Sequence, residues 1–181
     1  EFVGLDVVEV VTANIQKNES DAISIETEGA YHSFDGGYYL ETGYEYYITS
    51  TNRSDASDVK IAYGYVDLTG DSREAVTLDM KATQSVMEVT GYVGINADGT
   101  ITVESGDVKR QFDVTDGAFT IRLPADMNDV TATVEVSATV ASVEHWFTAT
   151  GDLINMTDGC IRNISVLSSD APADDSEEED E

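Results

Sequence analysis

The chain of 181 residues has one cysteine, two prolines and two histidines. A single cysteine excludes an intrachain disulfide. Only Arg162 supplies a positive charge near Cys160, so we expect a buried, unreactive thiol. The sequence has no HExxH, CxxC or nucleophile-elbow motif. We therefore expect no enzyme, and a carboxylate acid/base pair hidden among the many acidic residues is the one catalytic alternative that stays open.

Basic residues and long apolar runs are also scarce. No run of 18 apolar residues occurs, so the sequence predicts no membrane span. Nine basic residues stand against 36 acidic ones, which gives a net charge of −27. A field of this sign repels nucleic acid and anionic membranes, and it destabilises the compact chain unless salt or cations screen it. Because the acid is spread along the whole chain, the composition favours a halophilic archaeal source.

What the sequence does have is alternation of apolar and polar residues, enriched in β-branched and aromatic types. Gly, Asp and Asn interrupt it every eight to twelve residues or so. The predicted strands are 2–11, 22–28, 44–51, 58–68, 85–95, 100–105, 107–114, 118–123, 130–140, 143–150 and 160–167. Asp-Gly pairs at 98–99 and 116–117 are hairpin signals, each of which fits a type I′ turn or a bulge. Residues 71–82 are the one helix candidate, with Asp71 or Ser72 as N-cap.

This pattern predicts an all-β fold, a single antiparallel β-sandwich of Ig-like or jelly-roll type over residues 1–167. Residues 168–181 contain no large apolar side chain and many carboxylates. They cannot offset the entropy of ordering, so we expect a disordered acidic tail or a spacer.

Four N-x-[ST] sequons occur, more than the composition predicts by chance. They begin at Asn18, Asn52, Asn155 and Asn163. The first two lie in polar stretches typical of loops, and the last two flank a predicted strand. Sequons indicate glycosylation and an extracellular or cell-surface location.

Five of the nine tyrosines lie within residues 36–55. Alternation places Tyr44, Tyr46, Tyr63 and Tyr65 with Ile48, Val59 and Ile61, which predicts that these tyrosines pack in the core. Tyr47 falls on the opposite face, and the pattern leaves Tyr38 and Tyr39 undetermined. These last three are the candidate interaction residues, because exposed tyrosines stack on sugars or on protein partners.

The apolar run at the start of the sequence has two interpretations. It can be the first strand of its own domain, or it can insert into a neighbouring subunit as a donor strand. The candidate donor residues are Phe2, Val3, Leu5, Val7, Val8 and Val10.

Two acidic, glycine-containing loops, 67–74 and 96–107, are the candidate metal-binding segments. Neither has the spacing of an EF-hand. We expect solvated turns and no cofactor, with loosely bound Ca²⁺ or Mg²⁺ as the alternative. The identity of any metal ligand stays unknown.

The segment LETGYEYYITSTNRSDASDVKIAYGY resembles a pattern of secreted Ig-like sandwiches, carried by Leu40, Gly43, Tyr44, Tyr46, Ile48, Asn52, Val59 and Ile61. With the acid excess and the sequons, the chain resembles haloarchaeal surface and filament proteins. It departs from archaellins and type IV pilins, because residues 1–15 have a strand pattern in place of their long apolar helix.

The resemblance implies a structural or interaction protein on a cell surface, and specifically a subunit of a filament or lattice. We expect its partners to be further copies of itself or other surface proteins. The alternatives are a glycan- or receptor-binding adhesion module and a surface or spike protein of a haloarchaeal virus.

Overall fold

The computed structural model describes residues 9–127, 129–153 and 167–168. The fold is all-β, and no helix occurs in the described ranges. Its strands form two sheets, one of four strands and one of ten. The predicted all-β class is confirmed. The chain divides into two compact units, and each is described by itself. The single domain predicted for 1–167 stays a prediction.

The first unit comprises residues up to Met87, together with Gly106–Arg110 and Leu123–Met127. Its strands, in chain order, are β1 (Val10–Gln16), β2 (Ala22–Glu26), β3 (Tyr31–Phe34), β4 (Gly37–Glu41), β5 (Glu45–Asn52), β6 (Lys60–Asp67), β7 (Val76–Asp79) and the start of β8 (Gln84–Tyr92).

The four-stranded sheet of this unit has the order β3-β4-β1-β7. Strand β1 lies inside it, antiparallel to β4 and parallel to β7. The other strands of this unit belong to the ten-stranded sheet, where they have the order β2-β5-β6-β8 and pair antiparallel throughout. One core cluster takes residues from both sets of strands, among them Val11, Leu40, Tyr46, Ile48 and Met80.

Strand β1 corrects the predicted end of the first strand. The sequence predicts that the first strand ends at residue 11, yet Val11, Ala13 and Ile15 alternate toward the core cluster. The polar residues between them face the other side of the sheet. Ala13 is small, yet it is apolar and buried, so it continues the alternation of core-facing residues from Val11 to Ile15.

The helix predicted for 71–82 is wrong. Residues 72–75 carry no regular secondary structure, and β7 follows at Val76. Val76, Leu78 and Met80 contact the core cluster, a spacing of two that only a strand places on one face. Tertiary packing therefore overrides the local capping signal.

Two of the predicted core tyrosines are also placed wrongly. Tyr46 lies opposite Val66 in the β5–β6 ladder, whereas Tyr47 lies opposite Tyr65 and Thr49 opposite Tyr63. Because opposite residues share a face, Tyr63 and Tyr65 lie with Tyr47 and away from the core cluster. Both are half-buried there. Tyr46 is fully buried, as predicted.

The second unit comprises Glu88–Ser105, Gln111–Arg122 and the residues that follow 128. Its strands are the end of β8, then β9 (Asp98–Ser105), β10 (Val108–Thr115), β11 (Ala118–Pro124), β12 (Val130–Val140), β13 (Val143–Leu153) and β14 (Leu167–Ser168), of which β10 begins and β11 ends in the first unit.

Within the second unit the order is β14-β13-β12-β9-β10-β11. Buried residues alternate along β12, and Val134 lies opposite Ile101 of β9. The hairpin predicted at Asp116-Gly117 is confirmed, because Thr115 pairs with Ala118 and both turn residues have positive φ. The one predicted at Asp98-Gly99 is wrong, since these residues begin β9 and pair with β12.

Candidate functional site

The described residues contain no group of three or more His, Cys, Asp or Glu side chains that could hold a metal ion. His32 lies on β3 and His145 on β13, and both are exposed. Cys160 lies outside the described residues. In the acidic loops, Asp67 accepts hydrogen bonds from the amide and hydroxyl of Thr69, 2.9 and 2.5 Å long. These contacts, from a residue two positions later, are those of an Asx turn.

The aromatic residue most open to solvent among the three candidates is Tyr39, on β4. Its ring packs against Phe34, with centroids 4.7 Å apart, and 37% of its surface is exposed. The ladder places Tyr39 opposite His32 on one side and Thr12 on the other. These residues define the outer face of the four-stranded sheet, the side away from the core cluster.

Tyr38 points the other way. It packs against the core cluster, and its ring meets Tyr31 edge-on at 6.0 Å. Burial, together with the nearby Tyr31, raises the pKa of its hydroxyl. Tyr38 is therefore a packing residue with one accessible side, unlike its neighbour Tyr39.

Tyr47 belongs to a cluster on β5 and β6. Its ring lies 5.4 Å from that of Tyr65, and both hydroxyls donate to the carboxylate of Glu45, the Tyr47 bond at 3.3 Å. Lys109 binds the same carboxylate at 3.1 Å, and its ammonium lies 5.6 Å from the centre of the Tyr65 ring.

The electrostatics of this cluster are consistent with its geometry. The hydrogen bond from Tyr65 and the contacts with Lys109 hold the pKa of Glu45 below its usual range, against the effect of burial. Burial and the adjacent carboxylate raise the pKa of both Tyr47 and Tyr65. Glu45 stays ionised and pairs with Lys109, while both phenols stay neutral and donate to it, so Tyr47 is held by internal contacts.

Arg110, the residue after Lys109, forms a second ion pair that also contacts a tyrosine ring. Its guanidinium pairs with both carboxylate oxygens of Glu26, at 3.0 and 3.2 Å, and lies 5.3 Å from the centre of the Tyr63 ring. Only 11% of its side chain is exposed. Bidentate pairing and stacking on an aromatic ring are the contacts that a guanidinium satisfies best.

The two described sequons meet at one carboxylate. Asn52 donates from its side-chain nitrogen to Asp21 at 2.8 Å and to Ser20 at 2.9 Å, and Ser20 is the third residue of the Asn18 sequon. The amide of Asn18 donates to Asp21 at 3.0 Å. The amide of Ala82 does so as well, also at 3.0 Å.

Asp21 is buried, and burial alone would raise its pKa. The hydrogen bonds from Ala82, Asn18 and Asn52 outweigh that effect, so the pKa lies below the ordinary value. Asp21 is thus an ionised, fully engaged carboxylate. Asn155 and Asn163 lie outside the described residues.

Of the candidate donor-strand residues, only Val10 is described. It begins β1 opposite Glu41 and is 38% exposed. Phe2, Val3, Leu5, Val7 and Val8 lie outside the described residues. Glu9, just before the strand, is fixed by a hydrogen bond from the amide of Thr42 at 2.9 Å and by an ion pair with Arg73 at 2.8 Å.

Sequence reasoning missed two features. The β3–β4 hairpin was not predicted, although Asp35-Gly36 between two aromatic stretches is a hairpin signal. The turn between β12 and β13 was not singled out either. There Val140 and Val143 are 57% and 55% exposed, and Ala141 and Ser142 both have positive φ.

Comparison with known proteins gives no assignment: no family model matches the chain, and neither a curated protein nor a solved structure is detectably similar to it. Among the described residues, no helix has the length and apolarity to cross a membrane.

Proposed function

We propose that the chain is a non-enzymatic structural or interaction protein of a halophilic cell surface, and specifically a self-associating subunit of a filament or lattice. We also propose that its two sheets form a β-sandwich, of which the core cluster shared by β1, β4, β5 and β6 is the supporting feature. The acid excess and the sequons support the extracellular, high-salt setting.

The observation that carries self-association is the position of β1. It is the first described strand, yet it lies inside its sheet with a partner on each side. It supplies Val11 and Ala13 to the core, and a single loop, residues 17–21, connects it to β2. Exchange of such a strand between copies requires movement at one hinge loop and recreates every contact in the neighbour.

This gives the donor-strand interpretation a definite form. The element exchanged would be β1 with the apolar residues that precede it, and the acceptor would be the gap between β4 and β7 of the neighbour. The direct test is electron microscopy and sedimentation of the purified protein in molar salt. We expect filaments or sheets of regular repeat; a monomer at every salt and protein concentration would contradict the proposal.

Tyr39 favours a second candidate function, a glycan- or receptor-binding module. It is the exposed member of the three candidates, and its ring is held in place by Phe34. In a glycan-binding module, Tyr39→Ala should abolish binding on a glycan array without lowering the melting temperature. Tyr47→Ala is the matched control, because Tyr47 is held by Glu45 and Tyr65. Equal loss of binding from both variants would remove the specific role of Tyr39.

A further inference from the structure

Strand β3 forms an edge of the four-stranded sheet, since among the described residues it pairs only with β4. Its four residues, Tyr-His-Ser-Phe, include no acid, lysine, arginine or proline. Natural edge strands are commonly protected by such residues, because their unpaired backbone groups recruit other strands. Strand β3 lacks this protection in a chain where one residue in five is acidic.

The other edges of the first unit differ from β3. Strand β7, at the opposite edge of the same sheet, ends in Asp79, which pairs with Lys81 at 3.7 Å. Strand β2 ends in Glu26, which holds Arg110. Both therefore carry the charges that discourage pairing between sheets.

The outward-facing backbone groups of β3 follow from its register. The amide of Glu41 donates to the carbonyl of Ala30 at 3.0 Å, so this pair is hydrogen-bonded. Hydrogen-bonded pairs alternate along an antiparallel ladder, and the next one is His32 with Tyr39. The N–H and C=O groups of Tyr31 and Ser33 consequently point away from β4. Tyr31 is also 45% exposed.

We propose that β3 pairs antiparallel with β3 of a second copy, which joins the two four-stranded sheets into one. Antiparallel self-pairing obeys a two-fold axis, so each copy presents the same uncharged residues. A net charge of −27 opposes any contact between copies, and contact is least costly where acid is sparse. Asp35 is the only acidic residue between positions 29 and 40.

This inference rests on the proposed self-association and names one of its interfaces. It does not depend on exchange of β1, because β3 and β1 lie on opposite sides of β4. Edge pairing and strand exchange would supply two different contacts per subunit. Head-to-tail strand exchange extends into a filament, whereas one two-fold contact alone gives only a dimer, so the β3 contact would join neighbouring filaments into a lattice.

The test uses Ser33→Pro and Ser33→Lys in the full chain. Proline at an edge position with an outward N–H leaves the strand's own ladder intact and removes the donor that a partner needs. Lysine adds the charge that natural edges use. Thr77→Lys is the matched control, because it places the same charge at an exposed position of the opposite edge.

Sedimentation velocity in molar salt should show, for both Ser33 variants, a dimer dissociation constant at least tenfold higher than that of wild type, or smaller polymers. Thr77→Lys should associate like wild type. Amide hydrogen exchange of the wild type should show new protection at Tyr31 and Ser33 on association. Wild-type association by both Ser33 variants, or no added protection at these amides, overturns the inference and leaves the proposed function standing. A wild-type chain that never associates overturns both.

Discussion

The side-chain amide of Asn52 donates a hydrogen bond of 2.8 Å to the carboxylate of Asp21, which ties the end of β5 to the loop before β2. The nitrogen involved is the atom to which a glycan would be attached. Its second contact, with Ser20, occupies the remaining hydrogen. A glycan at Asn52 would have to displace one of these bonds, so the sequon also has a structural role in the folded chain.

We predict that Asp21→Asn lowers the free energy of unfolding at pH 7 by about 1–3 kcal/mol, because an amide cannot accept every hydrogen bond that the carboxylate accepts. The folded pKa of Asp21 lies below its unfolded value. Its stabilising effect is therefore present above the unfolded pKa of about 3.9 and is lost as the pH falls through the folded pKa.

Urea unfolding between pH 2 and 7 tests whether the stabilising effect of Asp21 is lost as the pH falls. The wild type should lose more stability than Asp21→Asn as the pH falls, so the two curves converge in acid. Arg53→Ala, an exposed change in the adjacent loop, should stay within about 0.5 kcal/mol of wild type. Parallel curves for wild type and Asp21→Asn would show that the carboxylate does not titrate as described.

A second prediction concerns Tyr46, the largest fully buried side chain among the described residues. Its hydroxyl lies 2.8 Å from the carbonyl oxygen of Glu41 and 3.0 Å from that of Ala30, and it donates to them. Burial and the nearby Glu41 raise its pKa to about 12. Tyr46→Phe should cost about 0.5–1.5 kcal/mol near neutral pH.

The same raised pKa sets the alkaline behaviour. The contribution of Tyr46 is complete below its unfolded pKa of about 10 and is lost as the pH rises toward 12. Stability curves over that range should fall less steeply for Tyr46→Phe than for wild type. Tyr39→Phe, at an exposed position, should follow the wild-type curve; equal slopes for all three proteins would refute the assignment.

The β12–β13 turn gives a third prediction. Val140 pairs with Val143, which leaves a two-residue loop, and φ is 52° at Ala141 and 68° at Ser142. Alanine and serine are disfavoured in the left-handed backbone conformation, whereas the pair Asn-Gly is favoured in a two-residue turn of this kind. Replacing Ala141-Ser142 by Asn-Gly should raise the free energy of unfolding by about 1 kcal/mol. Asparagine at exposed Ala118, which follows the Asp116-Gly117 pair and does not have positive φ, should give no gain.

Net charge gives a fourth prediction. At −27 the folded chain repels itself, and the repulsion weakens as the Debye length falls to about 3 Å at 1 M salt. Thermal melts should show a steady rise in melting temperature from dilute buffer to molar salt, with divalent cations acting at lower concentration. Full stability in dilute, chelated buffer would contradict the high-salt setting.

The sequence was informative where side-chain alternation was strong and local. Strands β5, β6, β12 and β13 were predicted close to their observed bounds because β-branched and aromatic residues are enriched along them. The turn at Asp116-Gly117 was predictable because its residue types suit positive φ.

What the sequence did not reveal depends on contacts between distant segments. Tyr65 lies beside Tyr47 because of the β5–β6 register, which alternation within each strand does not specify. Strand β7 pairs in parallel with β1, where Ala13 lies opposite Val76, 63 positions later in the chain. Nothing in the local sequence at 71–82 indicates that distant pairing, so the helix signal there was misleading. The meeting of Asn52, Ser20 and Asp21 is likewise a result of tertiary structure.

Disulfide trapping tests the central claim, assembly by exchange of β1, most directly. Val10 and Glu41 are cross-strand neighbours on β1 and β4, so Val10→Cys with Glu41→Cys places two thiols opposite each other. In an exchanged polymer, β1 of one copy lies beside β4 of the next, and the bond joins different chains. The pair Thr139→Cys with Glu144→Cys on β12 and β13 is the control, and Cys160→Ser in both double variants removes the native thiol.

After assembly in molar salt and oxidation, a non-reducing denaturing gel should show a ladder of covalent multimers for the Val10–Glu41 pair and monomers for the Thr139–Glu144 pair. A fully oxidised Val10–Glu41 protein that assembles, yet runs only as monomer, would contradict strand exchange.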